Sequence, residues 1–257
     1  MLKQFLWPLF LCLSVSGQAG AETLTLAAAS DMTYCLPEVV KIFQAGHPGS
    51  EIRTVFGASG ALFAQIKNGA PYDVFLSADM RYPTELIQAG AAERATLANY
   101  ARGHLVLWSI DPAIQLEPGM AGLRSAAVKH IAIANPDTAP YGRAARGALE
   151  QAGLWEELKS KLVFGENIAQ TLQYAESGNA DVAFLSRSLV LSPRMAGKGH
   201  FQALPEGSYP PIEQGLVVTG VGARQPLASQ FAAFMRSPQA REILRKFGFS
   251  TPEREHP

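Results

Sequence analysis

Short β-like runs alternate with helix-like stretches along almost the whole chain. Thr23–Ala28, Glu51–Phe56 and Asp73–Leu76 read as strands. Helically spaced apolar residues follow each, up to Phe43, from about Gly60 to Asn68, and near Pro83–Gln88. Leu105–Trp108, His130–Ala134, Lys161–Phe164 and Asp181–Leu185 are further strand candidates, most of them followed by helical segments. Parallel strands need long crossover connections, usually helices, so this order predicts an α/β fold with largely parallel sheets. Two lobes fit better than one sheet. Asn99–His104 leads from one strand–helix set to the next, and a late strand at Leu216–Thr219 precedes helices near Leu227–Met235 and Pro238–Phe247. Two crossings between lobes would let this last segment rejoin the first.

The length of 257 residues suits one large domain or two small lobes. Charges balance at 22 basic and 22 acidic residues with no basic run or stripe, so attraction to nucleic acid has no support. Residues 1–21 read as a signal peptide: Lys3 is the positive end, Phe5–Val15 the apolar stretch, and Ala19-Gly20-Ala21 the cleavage pattern. The apolar run is short for a membrane anchor. Leu11 before Cys12 is too bulky for the usual lipid-attachment site. The mature chain then starts at Glu22 as an exported protein. Cys35 is its one thiol, and the helical spacing of Met32, Cys35, Val39 and Phe43 places it in the core. Pro37 conflicts with an unbroken helix from Ser30, so either the first turn is irregular or the helix is kinked.

Four places share one design, in which a strand ends, a tight turn follows and a helix starts. They are Ala27-Ala28-Ala29-Ser30-Asp31, Phe56-Gly57-Ala58-Ser59-Gly60, Ala139-Pro140-Tyr141-Gly142 and Gly165-Glu166-Asn167-Ile168. The first N–H groups of a helix lack internal partners and carry the positive end of its dipole. Small neighbours let an anion approach, and Ser30 and Ser59 add hydroxyl donors. Together they could bind an anion without any Lys or Arg. Taken singly, each has a plainer reading: serine or Asn167 as an ordinary cap, Tyr141 as a ring packed at the surface. Four such turns at the carboxyl ends of strands, where open α/β sheets place ligands, favour a site.

Several segments resemble the periplasmic molybdate-binding proteins of ABC transporters. They include Ala27–Asp31, Val55–Gly60, Gly69-Ala70-Pro71-Tyr72-Asp73-Val74-Phe75-Leu76-Ser77-Ala78-Asp79, and Asn135–Ala145. Gly165–Ile168, Gly178–Phe184, Ser237–Ala240 and Phe247–Phe249 continue the match, in order, over nearly the whole mature chain. The resemblance implies a type II periplasmic-binding-protein fold, with two α/β lobes, two crossover strands and the ligand in the cleft between lobes. The implied division is 22–103 with 215–257 for the first lobe and 104–214 for the second. It implies that Ser30 and Ser59 bind the oxyanion through hydroxyl and backbone donors, and that Asp31, Tyr141 and Ile168 give backbone N–H groups. These residues would hold molybdate as an oxyanion, without coordinating the metal directly. Some members carry a tyrosine near Ser186 that is absent here, which leaves a fifth contact from Ser186 open. The implied partners are molybdate or tungstate and the membrane permease of an ABC transporter, with no cofactor and a monomeric, periplasmic carrier.

A carboxylate facing a dianion would repel it, so the Asp31 side chain should turn away, toward the helix dipole or solvent. Facing the ligand, it could instead accept a proton from monohydrogen phosphate and favour that ion. Sulfate and molybdate are both unprotonated tetrahedral dianions, so cavity size must separate them. Arg143 and Arg146 lie near a binding turn, where exposed arginines are usually solvated; neither is expected to be an essential ligand. A hydrolase has no support: Ser59 lies in Gly-Ala-Ser-Gly, and His47, His104, His130, His200 and His256 are scattered without metal-ligand spacing. A regulator's sensing domain would lack an export signal and carry a helix-turn-helix.

Overall fold

The computed structural model describes residues 22–252 apart from residue 118; the expected signal peptide lies outside the described residues. The first half runs β1 (Thr23–Ala29), α1 (Leu36–Ala45), β2 (Glu51–Gly57), α2 (Ser59–Lys67), β3 (Val74–Ser77), α3 (Arg81–Gln88), β4 (Ala98–Gly103) and β5 (Leu105–Ser109). Next come β6 (Ile131–Ala134), α4 (Pro140–Gln151), α5 (Trp155–Leu158), β7 (Leu162–Gly165), α6 (Ile168–Glu176), β8 (Val182–Ser186) and α7 (Arg187–Val190). The chain ends with β9 (His200–Ala203), β10 (Ile212–Val218), α8 (Pro226–Phe234) and α9 (Pro238–Lys246).

The strands form two five-stranded sheets, ordered β2-β1-β3-β10-β4 and β7-β6-β8-β5-β9. In the first, β2, β1 and β3 are parallel, while β10 is antiparallel to β3 and β4. In the second, β7, β6 and β8 are parallel, and β5 runs against β8 and β9. The expected parallel core is therefore present in each sheet, with one reversed strand beside it. That strand comes from the chain's passage between sheets, from β4 into β5 and from β9 back into β10. The segment expected as a connection, Asn99–His104, is mostly strand β4, and β10 is longer than the expected Leu216–Thr219. Tyr100 and Ala101 are buried in β4, but the exposed Asn99 and Arg102 break the apolar alternation that would have marked it.

Helices cover both faces of the first sheet. Met32, Val39 and Phe43 pack with Phe231, Leu244 and Phe247 on one face; Leu62, Ile66, Tyr82 and Leu86 fill the other. Cys35 is buried in the first of these cores, as its spacing predicts. The second sheet has one continuous core, which Ala29, Ala58 and Ala78 of the first half join. The Pro37 conflict resolves as an irregular first turn: Ser30–Met32 is a single 3-10 turn, and α1 starts only at Leu36. Pro37 thus lies in the first turn of α1, where its missing N–H has no acceptor to lose.

Candidate functional site

The turns after β1, β2, β6 and β7 converge on one small cleft. From the first sheet it is lined by Ala29, Ser30, Asp31, Gly57, Ala58, Ser59 and Ala78. From the second come Ala139, Pro140, Tyr141, Asn167 and Ile168. All five expected site residues, Ser30, Asp31, Ser59, Tyr141 and Ile168, meet there. The cavity is small, about 10 Å³, far below the roughly 300–1,000 Å³ of pockets for drug-sized ligands. Among the described residues no Lys or Arg lines it.

Three helices begin at this cleft. Ala58, Ala139 and Asn167 are the N-caps of α2, α4 and α6, so Ser59, Tyr141 and Ile168 sit within the first turn. Their N–H groups have no intrahelical acceptor, and the dipoles add positive potential. The turn at Ser30 differs from the expected design: one 3-10 turn carries no comparable dipole. Asn167 is a plain cap whose Oδ1 accepts from Ala169 and Gln170 N–H at 3.0 and 3.1 Å. That leaves the Ile168 N–H out of the cap. Ser59 is fully buried, and its Oγ accepts from the Ala78 N–H at 3.0 Å. With an acceptor site of the oxygen occupied, the hydroxyl proton is free to point elsewhere.

Beneath the cleft lies a buried polar network. Asp31, only 1 % exposed, accepts on Oδ2 from the Gln214 side-chain amide at 2.7 Å. Tyr100 in turn donates to Gln214 Oε1 at 3.0 Å. The side chain of Asp31 therefore turns to Gln214 on β10, rather than to the helix dipole or solvent as expected. Its Oδ1 and the Tyr141 hydroxyl are buried side by side without ordinary hydrogen-bond geometry, yet the hydroxyl still lowers the carboxyl pKa. Burial outweighs that and the other donors and pushes the Asp31 pKa up to about 7. Burial raises the Tyr100 and Tyr141 pKa values as well, with Asp31 adding to both. Tyr141 is not a surface ring. It reaches so close to Gly103, at the end of β4, that a side chain there would strike its hydroxyl.

Ser186 caps α7, its Oγ accepting from Leu189 N–H at 3.4 Å and from the Ser188 hydroxyl at 3.1 Å; it is not among the cleft-lining residues. Arg143 is not solvated as expected: it pairs with Asp79 of the first lobe at 2.5 Å. Arg146 pairs with Glu150 at 2.7 Å on its own helix. Neither guanidinium lines the cleft.

The profile of the bacterial extracellular solute-binding proteins matches residues 24–250. The chain belongs to that family. This solute-binding protein is 36 % identical over 243 residues to the molybdate-binding protein ModA of Rhodobacter capsulatus, covering 95 % of this chain and 94 % of the relative. It is 37 % identical over 231 residues to the ModA of Azotobacter vinelandii, covering 90 % and 91 %. The solved structure of the periplasmic molybdate-binding protein of Azotobacter vinelandii superposes with a TM-score of 0.84. There the identity is 33 %, with 90 % of this chain and all of that one covered.

Sequence reasoning missed two members of this solute-binding protein's buried polar network, Tyr100 and Gln214. Both lie on the strands that pass between the sheets. Their partners come from far along the chain, 114 residues apart for Tyr100 and Gln214. A glutamine two residues ahead of the apolar run Leu216–Val218 was the signal available.

Proposed function

We propose that this protein captures molybdate outside the cytoplasmic membrane and delivers it to the permease of an ABC transporter. One observation carries the reading: a small cleft between two lobes is walled by helix N-termini and serine hydroxyls, with no cation. The backbone N–H groups and serine hydroxyls of this wall are donors, which suits an unprotonated tetrahedral dianion. The molybdate-binding relatives supply the choice of ion. Ser30 and Ser59 give hydroxyl and backbone donors, and Asp31, Tyr141 and Ile168 give backbone N–H groups. Tungstate, nearly the same size, binds as well. Sulfate is smaller and leaves buried donors unpaired, at about 1–3 kcal/mol each.

The ion first meets the donors of one lobe; closure brings those of the other and excludes water. We place the lobes at 22–103 with 215–257 and at 104–214. The protein acts as an exported monomeric carrier, not as an enzyme, and needs no cofactor.

The test is isothermal titration of the chain from Glu22 onward with molybdate, with sulfate and phosphate as competitors at neutral pH. Tight molybdate binding that survives excess sulfate is the expected result. Absence of molybdate heat, with sulfate or phosphate binding in its place, keeps the carrier and overturns the ligand.

A further inference from the structure

We propose that Asp79, Arg143 and Tyr82 form a latch between the lobes that sets how long the cleft stays shut over its ligand. The inference rests on the carrier function proposed above and concerns residues outside the ligand's own shell. Asp79 ends the segment Ser77-Ala78-Asp79, one residue beyond Ala78 of the cleft wall. Its Oδ2 receives Arg143 Nη2 at 2.5 Å, and Arg143 Nη1 donates to the Tyr82 hydroxyl at 3.1 Å. The guanidinium also lies 5.5 Å from the Tyr82 ring centre. Asp79 and Tyr82 flank the start of the first lobe's α3, whereas Arg143 is in the first turn of α4 in the second lobe. Every contact of this set therefore spans the cleft and breaks when the lobes part.

The seam beside it is equally tight. Gly60 N–H donates to the Thr138 carbonyl at 2.8 Å, again between lobes. A methyl group on Gly60 would sit 2.6 Å from the Tyr82 hydroxyl and 2.8 Å from the Thr138 oxygen. Ser59 and Ala139, next to these residues, are in the cleft wall. The latch is thus built onto the same backbone that presents the donors.

The pair is shielded, with side-chain exposures of 29 % and 25 %. A charge-assisted pair held this way is stronger than a solvated one. Its loss on opening is one-sided. Asp79 keeps its own-lobe partner Arg81, whose N–H donates to Oδ1 at 2.8 Å and whose guanidinium is 3.9 Å away. Arg143 has no such acid on its own lobe among the ion pairs of the described residues. The latch therefore acts chiefly on dissociation, as most contacts made after encounter do.

The test uses the chain from residue 22 onward, with D79N, R143Q and the double variant. Stopped-flow exchange gives molybdate release and capture rates, and spin labels on N68C and Q151C give the interlobe distance without ligand. Each single variant should release molybdate roughly tenfold faster with capture changed by less than about twofold, and the double should be no faster than the quicker single. The ligand-free distances should lengthen in all three. Unchanged release, or single effects that add in the double, overturns the latch. Should the unmodified protein bind no molybdate, the ligand reading fails and the distances alone decide: lengthening sustains the latch, and no change overturns it.

Discussion

Gln214, on the strand that returns the chain to the first sheet, donates its side-chain amide to Asp31 at 2.7 Å directly under the cleft. The pair links the turn that carries Ser30 to a strand that connects the two sheets. Its carboxyl is buried; the Tyr141 hydroxyl, the Gln214 amide and the backbone N–H groups of Asp31 and Met32 favour its charged form, but burial outweighs them.

That environment makes stability depend on pH in an unusual direction for an aspartate. The folded pKa of about 7 stands above the model-peptide value of 3.8, so the folded state holds the proton more tightly. The destabilisation is absent below the lower value, grows as pH rises between the two, and levels off above the higher, reaching ~4 kcal/mol at most. Asp31→Asn keeps the shape without the titration. Denaturant unfolding at about pH 5 and about pH 8 should show the variant gaining stability relative to the parent at the higher pH. An equal difference at both pH values would mean that Asp31 does not titrate in this range.

Ser59 should matter twice. Its oxygen accepts the Ala78 N–H, and its proton is left to the cleft. Ser59→Ala removes a proposed ligand donor and strands a buried N–H, so molybdate affinity should fall by about 10- to 100-fold, the equivalent of roughly 1–3 kcal/mol. Ser186→Ala, in a residue equally buried but off the cleft, should leave affinity within about threefold on the same titration. A matching loss in both variants would place Ser186 in the site after all.

How far the sequence discloses this site depends on where each residue's partner lies. The turns at Ser59, Tyr141 and Ile168 show themselves through neighbours: glycine, proline, serine and asparagine at strand ends are local signals of helix starts. Ser30 was legible as a turn, but Pro37 was the one hint that no long helix follows at once. Asp31 was legible as a problem, because a carboxylate beside an anion needs explaining. Its solution was not, since Gln214 lies 183 residues away. Arg143 looked like a solvated arginine for the same reason; Asp79 is 64 residues earlier, and no periodicity couples them. Strand β4 escaped notice because its exposed positions hide an otherwise buried pattern.

Gly103 tests the packing beneath the cleft by close approach. A methyl group there would overlap the Tyr141 hydroxyl and lie 3.0 Å from Gln214 Nε2. Gly103→Ala should destabilise the protein by about 1–3 kcal/mol, as overpacking does, and weaken molybdate binding because Tyr141 carries a cleft N–H. Tyr141→Phe removes the atom that is struck, so the double variant should recover part of the loss. Losses that simply add in a thermal or denaturant melt would show that the two residues do not clash.

Two helix caps separate a structural contribution from a functional one. Asn167 caps α6 at the cleft, and Ser237 caps α9 far from it, its Oγ accepting from Ala240 N–H at 3.2 Å. Replacing either by alanine should cost about 1 kcal/mol of stability, because each frees the N–H groups of a first turn. Only at Asn167 does that turn also carry Ile168, whose N–H is proposed above to hold the ligand. Asn167→Ala should therefore lower molybdate affinity several-fold while Ser237→Ala leaves it unchanged at equal loss of stability. Calorimetric titration of the two variants side by side decides the matter. If both bind like the parent, the α6 terminus takes no part in holding the ion, and the second lobe's grip must come from α4 alone.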